Sequence, residues 1–309
     1  MLRGRLFRFQ ANRYLDVPGE SRLREVGRPE QSTALRPGDL GVQCIGGTNC
    51  HPQVRGLPRV SVVIPALNEA ENLPYVLPRI PDWVYEVLLV DGRSTDGTAE
   101  VARRLRPDVR IVQQHGRGKG DALRAGFQAA TGDIVVMMDA DGSTDPAELP
   151  AFVDTLLSGA DVAKGSRFLT GGGTADMPFY RYLGNWGFVA LVRMLFGARY
   201  SDLCYGYNAF WAYVLPSISL DSDGFEIETK INLQILRGDL SIAEVPSFEY
   251  KRVYGTSRLK TIPDGWRVLM TIFREAYEHN LETLRSRING SRFAPRRGRN
   301  MRLHRESME

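Results

Sequence analysis

The sequence predicts an α/β fold in which a mostly parallel sheet is flanked by helices. Short apolar runs recur at 60–65, 86–91, 109–113, 134–139 and 162–165, each bounded by turn residues. They are continuous rather than alternating, as strands buried on both faces should be. Helix-period segments lie between them, at about 69–80, 98–106, 120–130 and 146–158. Strand and helix in alternation imply right-handed crossovers in a parallel sheet.

Local signals place the helices. Ser94-Thr95-Asp96-Gly97-Thr98 announces the second, and Asp145-Pro146 opens the fourth with a capping carboxylate followed by Pro in the first turn. After about residue 165 the rhythm breaks. A Gly-rich loop at 170–174 leads into an amphipathic stretch at 177–197 and an aromatic, strand-like run at 207–214. A helix near 225–237, a strand near 240–250, a loop at 252–260 and a long helix at 263–288 complete the pattern. We expect an N-terminal extension, partly ordered, at 1–58, one domain at 59–280 and a basic tail at 281–309.

Composition bounds the function. The chain has 309 residues, 43% hydrophobic and 25% charged, which excludes collagen, a disulfide mini-protein and wholesale disorder. Residues 1–60 hold 10 Arg against 5 Asp/Glu, and residues 281–309 hold 8 Arg against 3 Glu. Two basic ends flank a mildly acidic body. They suit an anionic partner, and solvated ends are the alternative reading. No recognised nucleic-acid motif accompanies them, so no nucleic-acid partner is expected. No run of 18 apolar residues and no secretory h-region occurs, so the expected location is cytoplasmic, with peripheral contact at the inner membrane face. Three cysteines are too few for a disulfide framework; Cys44, Cys50 and His51 lack a fourth zinc ligand at a known spacing.

In an open parallel sheet, ligands bind beyond the carboxyl ends of the strands. No G-x-G-x-x-G follows the first strand. Lys119, in His115-Gly116-Arg117-Gly118-Lys119-Gly120, is followed by Gly rather than Ser or Thr, so this is no P-loop. The fourth strand ends Asp139-Ala140-Asp141. Two carboxylates one residue apart at a buried strand's exit can converge on one hard divalent cation, Mg2+ or Mn2+. Asp91 ends the second strand in the same manner.

VSVVIPALNEAENLP, LLVDGRSTDGTAEVA, GKGDALRAGFQAATGDIVVMMDADGS, KGSRF and RVYGTSRL occur in that order. The series resembles the inverting family 2 glycosyltransferases of GT-A fold, and within them the dolichol- or polyprenyl-phosphate sugar synthases, over about residues 60–275. The resemblance implies that Pro65, Leu67, Glu69, Asp91, Lys119, Asp139, Ala140 and Arg167 serve the donor, and that Asp139 and Asp141 hold the metal. It implies catalytic roles for Asp141, Arg252 and Arg258. Leu67, Ser143 and Arg258 stand where the family often has Tyr, Gln and Lys. The implied reaction moves a hexose from a nucleoside-diphosphate sugar, of GDP-mannose or UDP-glucose type, to a polyprenyl phosphate.

Acceptor chemistry separates that reading from its rival, transfer onto a soluble hydroxyl. A hydroxyl needs a general base, with Glu226 or Glu228 as candidates; at i,i+2 on a helix they face different ways, so at most one can point at the acceptor. A lipid phosphate is already anionic near neutral pH and needs only cations to orient it. Lys251, Arg252, Arg258 and Lys260 supply four. The stretch 177–197 suits either an interfacial helix or a core helix.

Overall fold

The computed structural model describes residues 57–288 apart from 199 and 239. The Cys44, Cys50 and His51 question, the N-terminal extension and the basic residues beyond 288 lie outside the described residues.

Strands β1 (Val60–Ala66), β2 (Glu86–Asp91), β3 (Arg110–Gln113) and β4 (Ile134–Met137) pair in parallel, with β1 between β2 and β4. Val, Ile and Leu fill them because both faces are covered; β2 is buried along its whole length. Helices α1 (Thr98–Leu105) and α2 (Gly118–Ala129) make two of the crossovers. Gly126 brings α2 unusually close to the sheet, since a Cβ there would meet Val63 Cγ1 at 2.3 Å.

Residues 69–80 form two 3-10 turns, Leu73–Tyr75 and Leu77–Arg79, instead of an α-helix. Pro74 and Pro78 explain the difference. Pro78 has no N–H to donate to the carbonyl of Pro74, four residues back. The capping signal at Asp145 is met, its Oδ1 accepting the N–H of Ala147 at 2.9 Å ahead of α3 (Leu149–Leu157).

The second half continues the sheet through β5 (Val162–Ser166). A two-residue strand β6 (Gly173–Thr174) leads to α4 (Phe179–Phe196), which Gly197 ends at φ 70°. The aromatic run becomes β7 (Asn208–Trp211), which lies between β4 and β5 and is antiparallel to both. Helix α5 (Glu226–Arg237) leads to β8 (Ile242–Pro246) on β5 and β9 (Phe248–Glu249) on β6. Helix α6 (Thr261–Ile288) runs past the expected boundary at 280. The sheet order is β3-β2-β1-β4-β7-β5-β8, a mostly parallel seven-stranded sheet. No helix among the described residues is long and apolar enough to cross a membrane.

Candidate active site

The strand order reverses at β1, and the candidate residues gather beyond its carboxyl end and that of β4. Val63 pairs with Met137, so Asp139 lies level with Pro65. On the other side Ala66 pairs with Asp91. The turn after β1 is tied to the loop after β2. Asn68, at φ 53°, donates its N–H to Ser94 Oγ and accepts from Thr95 N through Oδ1; Glu69 N donates to Thr98 Oγ1. Asp91 is buried and accepts the N–H of Ser94, so it holds the shape of that loop. Ala140 is buried between the two aspartates.

Segment 250–258 lies across these strand ends. Tyr250 N donates to Ser143 O, and Tyr254 N to Asn72 Oδ1 at 2.8 Å. Arg258 Nη2 reaches the carbonyl of Leu67 at 2.8 Å. Arg252 forks onto Glu69 at 2.8–3.0 Å and approaches Asp141 Oδ2 at 3.2 Å. A cavity of about 220 Å3 lies between this segment and the turn at Asn68 and Asn72. A larger cavity of about 820 Å3, between α2 and residues 212–223, contains none of the candidate residues.

The sequence placed Lys119 on the donor. In the structure its ammonium is buried between two carboxylates, 2.5 Å from Asp139 Oδ1 and 2.5 Å from Glu228 Oε1. Burial works against the charge, but the two carboxylates outweigh it and hold Lys119 above its ordinary pKa. Burial likewise raises Glu228, against the pull of the ammonium. We take the pair as charged, because each group meets its opposite directly where water scarcely reaches.

Of the two candidate bases, Glu228 reaches the cluster and Glu226 does not. Glu226 folds back to accept the N–H of Gly224 at 3.2 Å. Arg167, expected to meet phosphate, has its donors committed within the protein. Its Nε and Nη2 fork onto Asp202 at 2.7 and 2.9 Å, Nη1 meets Glu249 at 3.1 Å, and Nη2 also meets Cys204 O. Burial pushes the Cys204 thiol up to about 12, so it offers no nucleophilic thiolate near neutrality.

Sequence reasoning missed Asn72, Asp202 and Gly206. Asn72 carries no motif signal. Gly206 shows itself only in the fold: β7 runs antiparallel to β4 with Asn208 opposite Met137, which places Gly206 opposite Asp139. A Cβ at Gly206 would lie 2.7 Å from Glu228 Oε1, 2.8 Å from Lys119 Nζ and 3.1 Å from Asp139 Oδ2.

The donor set fits a hard divalent ion. Among the described residues no group of three or more His, Cys, Asp or Glu could hold a metal unaided. Two aspartates with an open side match the habit of Mg2+, which binds through one or two carboxylates and takes its other oxygens from phosphate and water.

The sheet is doubly wound, with acidic and basic side chains converging at its switch point, where open α/β sheets bind their ligands. The chain belongs to glycosyl transferase family 2, whose model matches residues 61–211, and it is a glycosyltransferase of GT-A fold. It is 32% identical over 258 residues to polyprenol monophosphomannose synthase of Mycolicibacterium smegmatis, covering 79% of this chain and 89% of that one. It is 34% identical over 212 residues to dolichol-phosphate mannosyltransferase of Pyrococcus furiosus, covering 65% of this chain and 59% of that longer relative. Undecaprenyl-phosphate mannosyltransferase of Micrococcus luteus is 34% identical, with 65% and 87% covered. Among solved structures, glucosyl-3-phosphoglycerate synthase from Mycobacterium tuberculosis, in complex with Mn2+, UDP-glucose and phosphoglyceric acid, matches with TM-score 0.57 and 26% identity. That match covers 71% of this chain and 80% of that one.

Proposed function

We propose that this glycosyltransferase moves a hexose from a nucleoside-diphosphate sugar to a polyprenyl phosphate, with inversion at the anomeric carbon and a divalent metal at Asp139 and Asp141. The observation that carries the reading is the meeting of Asp141 with Arg252 at 3.2 Å, which brings the cationic 251–260 segment onto the metal-binding strand end. The relatives named for dolichol, polyprenol and undecaprenyl phosphate support the acceptor class.

Mg2+ or Mn2+, when bound, would offset the negative charge that grows on the departing diphosphate. The chain's own residues do the rest. The turn at 67–69 and the loop at 91–98 shape the donor pocket. Arg258 reaches the end of β1 and supplies positive charge to the phosphates, and fixed charge of that kind is commonly the largest catalytic contribution; Arg252, held between Glu69 and Asp141, keeps the 250–258 segment at that strand end. Lys251 and Lys260 add charge near the same loop and attract the acceptor's phosphate.

A phosphate acceptor needs no base, and of the two candidate bases Glu228 is held by Lys119 while Glu226 accepts the Gly224 N–H through Oε1, away from the Asp139 cluster. Access to a lipid fits two surface helices. On α4, Phe179, Tyr182, Leu183, Trp186 and Met194 are exposed, and the helix contains no acidic residue. On α6, Ile262, Trp266, Met270, Phe273 and Tyr277 are exposed. Such faces suit peripheral contact with a membrane interface.

The test is transfer from a panel of GDP- and UDP-hexoses to a short-chain polyprenyl phosphate and to simple sugar hydroxyls, with and without EDTA. Transfer to the phosphate alone, lost in EDTA, is expected. Transfer only to hydroxyls sinks the acceptor assignment, and undiminished transfer in EDTA sinks the metal.

A further inference from the structure

Each candidate metal carboxylate touches a cation, and each of those cations is backed by a second carboxylate. Lys119 bridges Asp139 to Glu228 at 2.5 Å on both sides. Arg252 bridges Asp141, at 3.2 Å, to Glu69, at 2.8 Å. The two acid–base–acid chains come from different elements, α2 and α5 for one and the β1 turn and the 250–258 segment for the other, yet they share one order.

Exposure follows that order. The inner acids are the open ones, with Asp139 at 30% and Asp141 at 20% side-chain exposure. The outer acids are the hidden ones, with Glu228 at 9% and Glu69 at 7%. A ligand therefore meets Asp139 and Asp141 first, while Glu228 and Glu69 stand behind the cations.

Charge explains why the outer pair is there. With the two cations alone, Lys119 would cancel Asp139 and Arg252 would cancel Asp141. A divalent ion would then find two carboxylates but no net charge. With Glu228 and Glu69 present, the six side chains carry a net charge of −2, which matches a divalent cation.

The fold works to keep this arrangement. Lys119 is the second residue of α2, where the helix dipole disfavours a cation, and it is buried as well. Glu228 is the third residue of α5, where the dipole favours an anion. Gly206 leaves the space that the cluster fills.

We infer that Glu228 and Glu69 are positioning residues that compensate the charge of Lys119 and Arg252, so that Asp139 and Asp141 keep their joint negative charge for a divalent metal. This rests on the metal reading of the site.

The test is Mn2+ titration followed by electron paramagnetic resonance, on the full chain without nucleotide and with saturating GDP or UDP. Thermal melting of each variant is followed in parallel. Glu228→Gln and Glu69→Gln each leave one uncompensated cation beside the metal and should weaken Mn2+ binding on the order of tenfold. Replacing one cation together with the acid behind it, Lys119→Met with Glu228→Gln, returns the cluster to −2. It should recover affinity to within about threefold of wild type, as charge compensation requires and mere loss of packing does not allow.

The inference is overturned if both single variants bind Mn2+ as wild type does, or if the double variant binds as weakly as Glu228→Gln. Glu69→Gln probes the second chain independently should Glu228→Gln fail to fold. Absence of Mn2+ binding by the wild type, with either nucleotide, overturns the metal reading itself, an outcome distinct from wild-type binding that the substitutions do not change.

Discussion

Arg167→Met separates a strut from a substrate ligand. The Arg167 side chain is 6% exposed and that of Asp202 is 0%. Removing the guanidinium leaves a fully buried carboxylate without its main partner, and breaking such a pair costs about 3–5 kcal/mol. Two features move the expectation to the lower end. Asp202 keeps the backbone N–H of Cys204 at 3.2 Å and the nearby positive charge of Lys164, and Glu249 keeps the hydroxyl of Thr174 at 2.6 Å. We therefore expect a loss of about 3 kcal/mol, from the lower bound for a broken buried pair. For a domain of this size that lowers the melting temperature by about 6–12 °C. Calorimetry on wild type and Arg167→Met measures it, with Arg167→Lys as the variant that keeps the charge and loses the fork. A melting temperature within about 3 °C of wild type, together with a lost ability to saturate with the nucleotide-sugar donor, would refute the strut and return Arg167 to the donor phosphate role that the resemblance implied.

Other expectations follow from single contacts. Asp141→Ala should cut transfer on the order of 100-fold while leaving the melting temperature nearly unchanged, measured at fixed Mn2+ and saturating donor. Glu86 is pushed up by burial but pulled down further by the hydroxyls and N–H of Ser61 and Thr131 and by Arg110, reaching about 2 against an ordinary 4.5. Its folded pKa is depressed, so its stabilisation is fully present above pH 4.5 and is lost as the pH falls to about 2. Glu86→Gln should thus cost about 2–3 kcal/mol at pH 7 and progressively less below pH 4.5, read from urea midpoints across that range. Gly126→Ala should cost about 1–3 kcal/mol, because the added methyl drives into Val63 and Val90.

Much of the fold was legible because the physics that sets it is local. The continuous apolar runs at 60–65, 86–91 and 134–139 could be satisfied only by strands covered on both faces, and they became β1, β2 and β4. The 69–80 segment failed as an α-helix at Pro74 and Pro78, whose missing N–H groups outweigh the apolar spacing of Leu73, Leu77 and Ile80. The direction of β7 was not readable. Asn208–Trp211 is buried on both faces whichever way it runs, so its sequence carries no mark of being antiparallel. One-residue separations inside a strand, such as the break between β8 and β9 at Ser247, leave little trace in composition either.

The candidate site divides along the same line. Asp139, Asp141 and Asp91 were readable because each sits where a strand runs out, and a carboxylate there is explained by what lies beyond the sheet. Glu228 and Glu69 were harder, because their partners come from 109 and 183 residues away. Nothing in a helix start such as Phe225-Glu226-Ile227-Glu228 says which acid turns inward. That is settled by the packing of α5 against α2, which puts Glu228 on Lys119 and leaves Glu226 to the Gly224 N–H. The carboxylates proposed to meet a ligand could therefore be read from strand ends. The residues proposed to set the charge around those aspartates could be read only once the fold had brought α2, α5 and the 250–258 segment to the same strand ends.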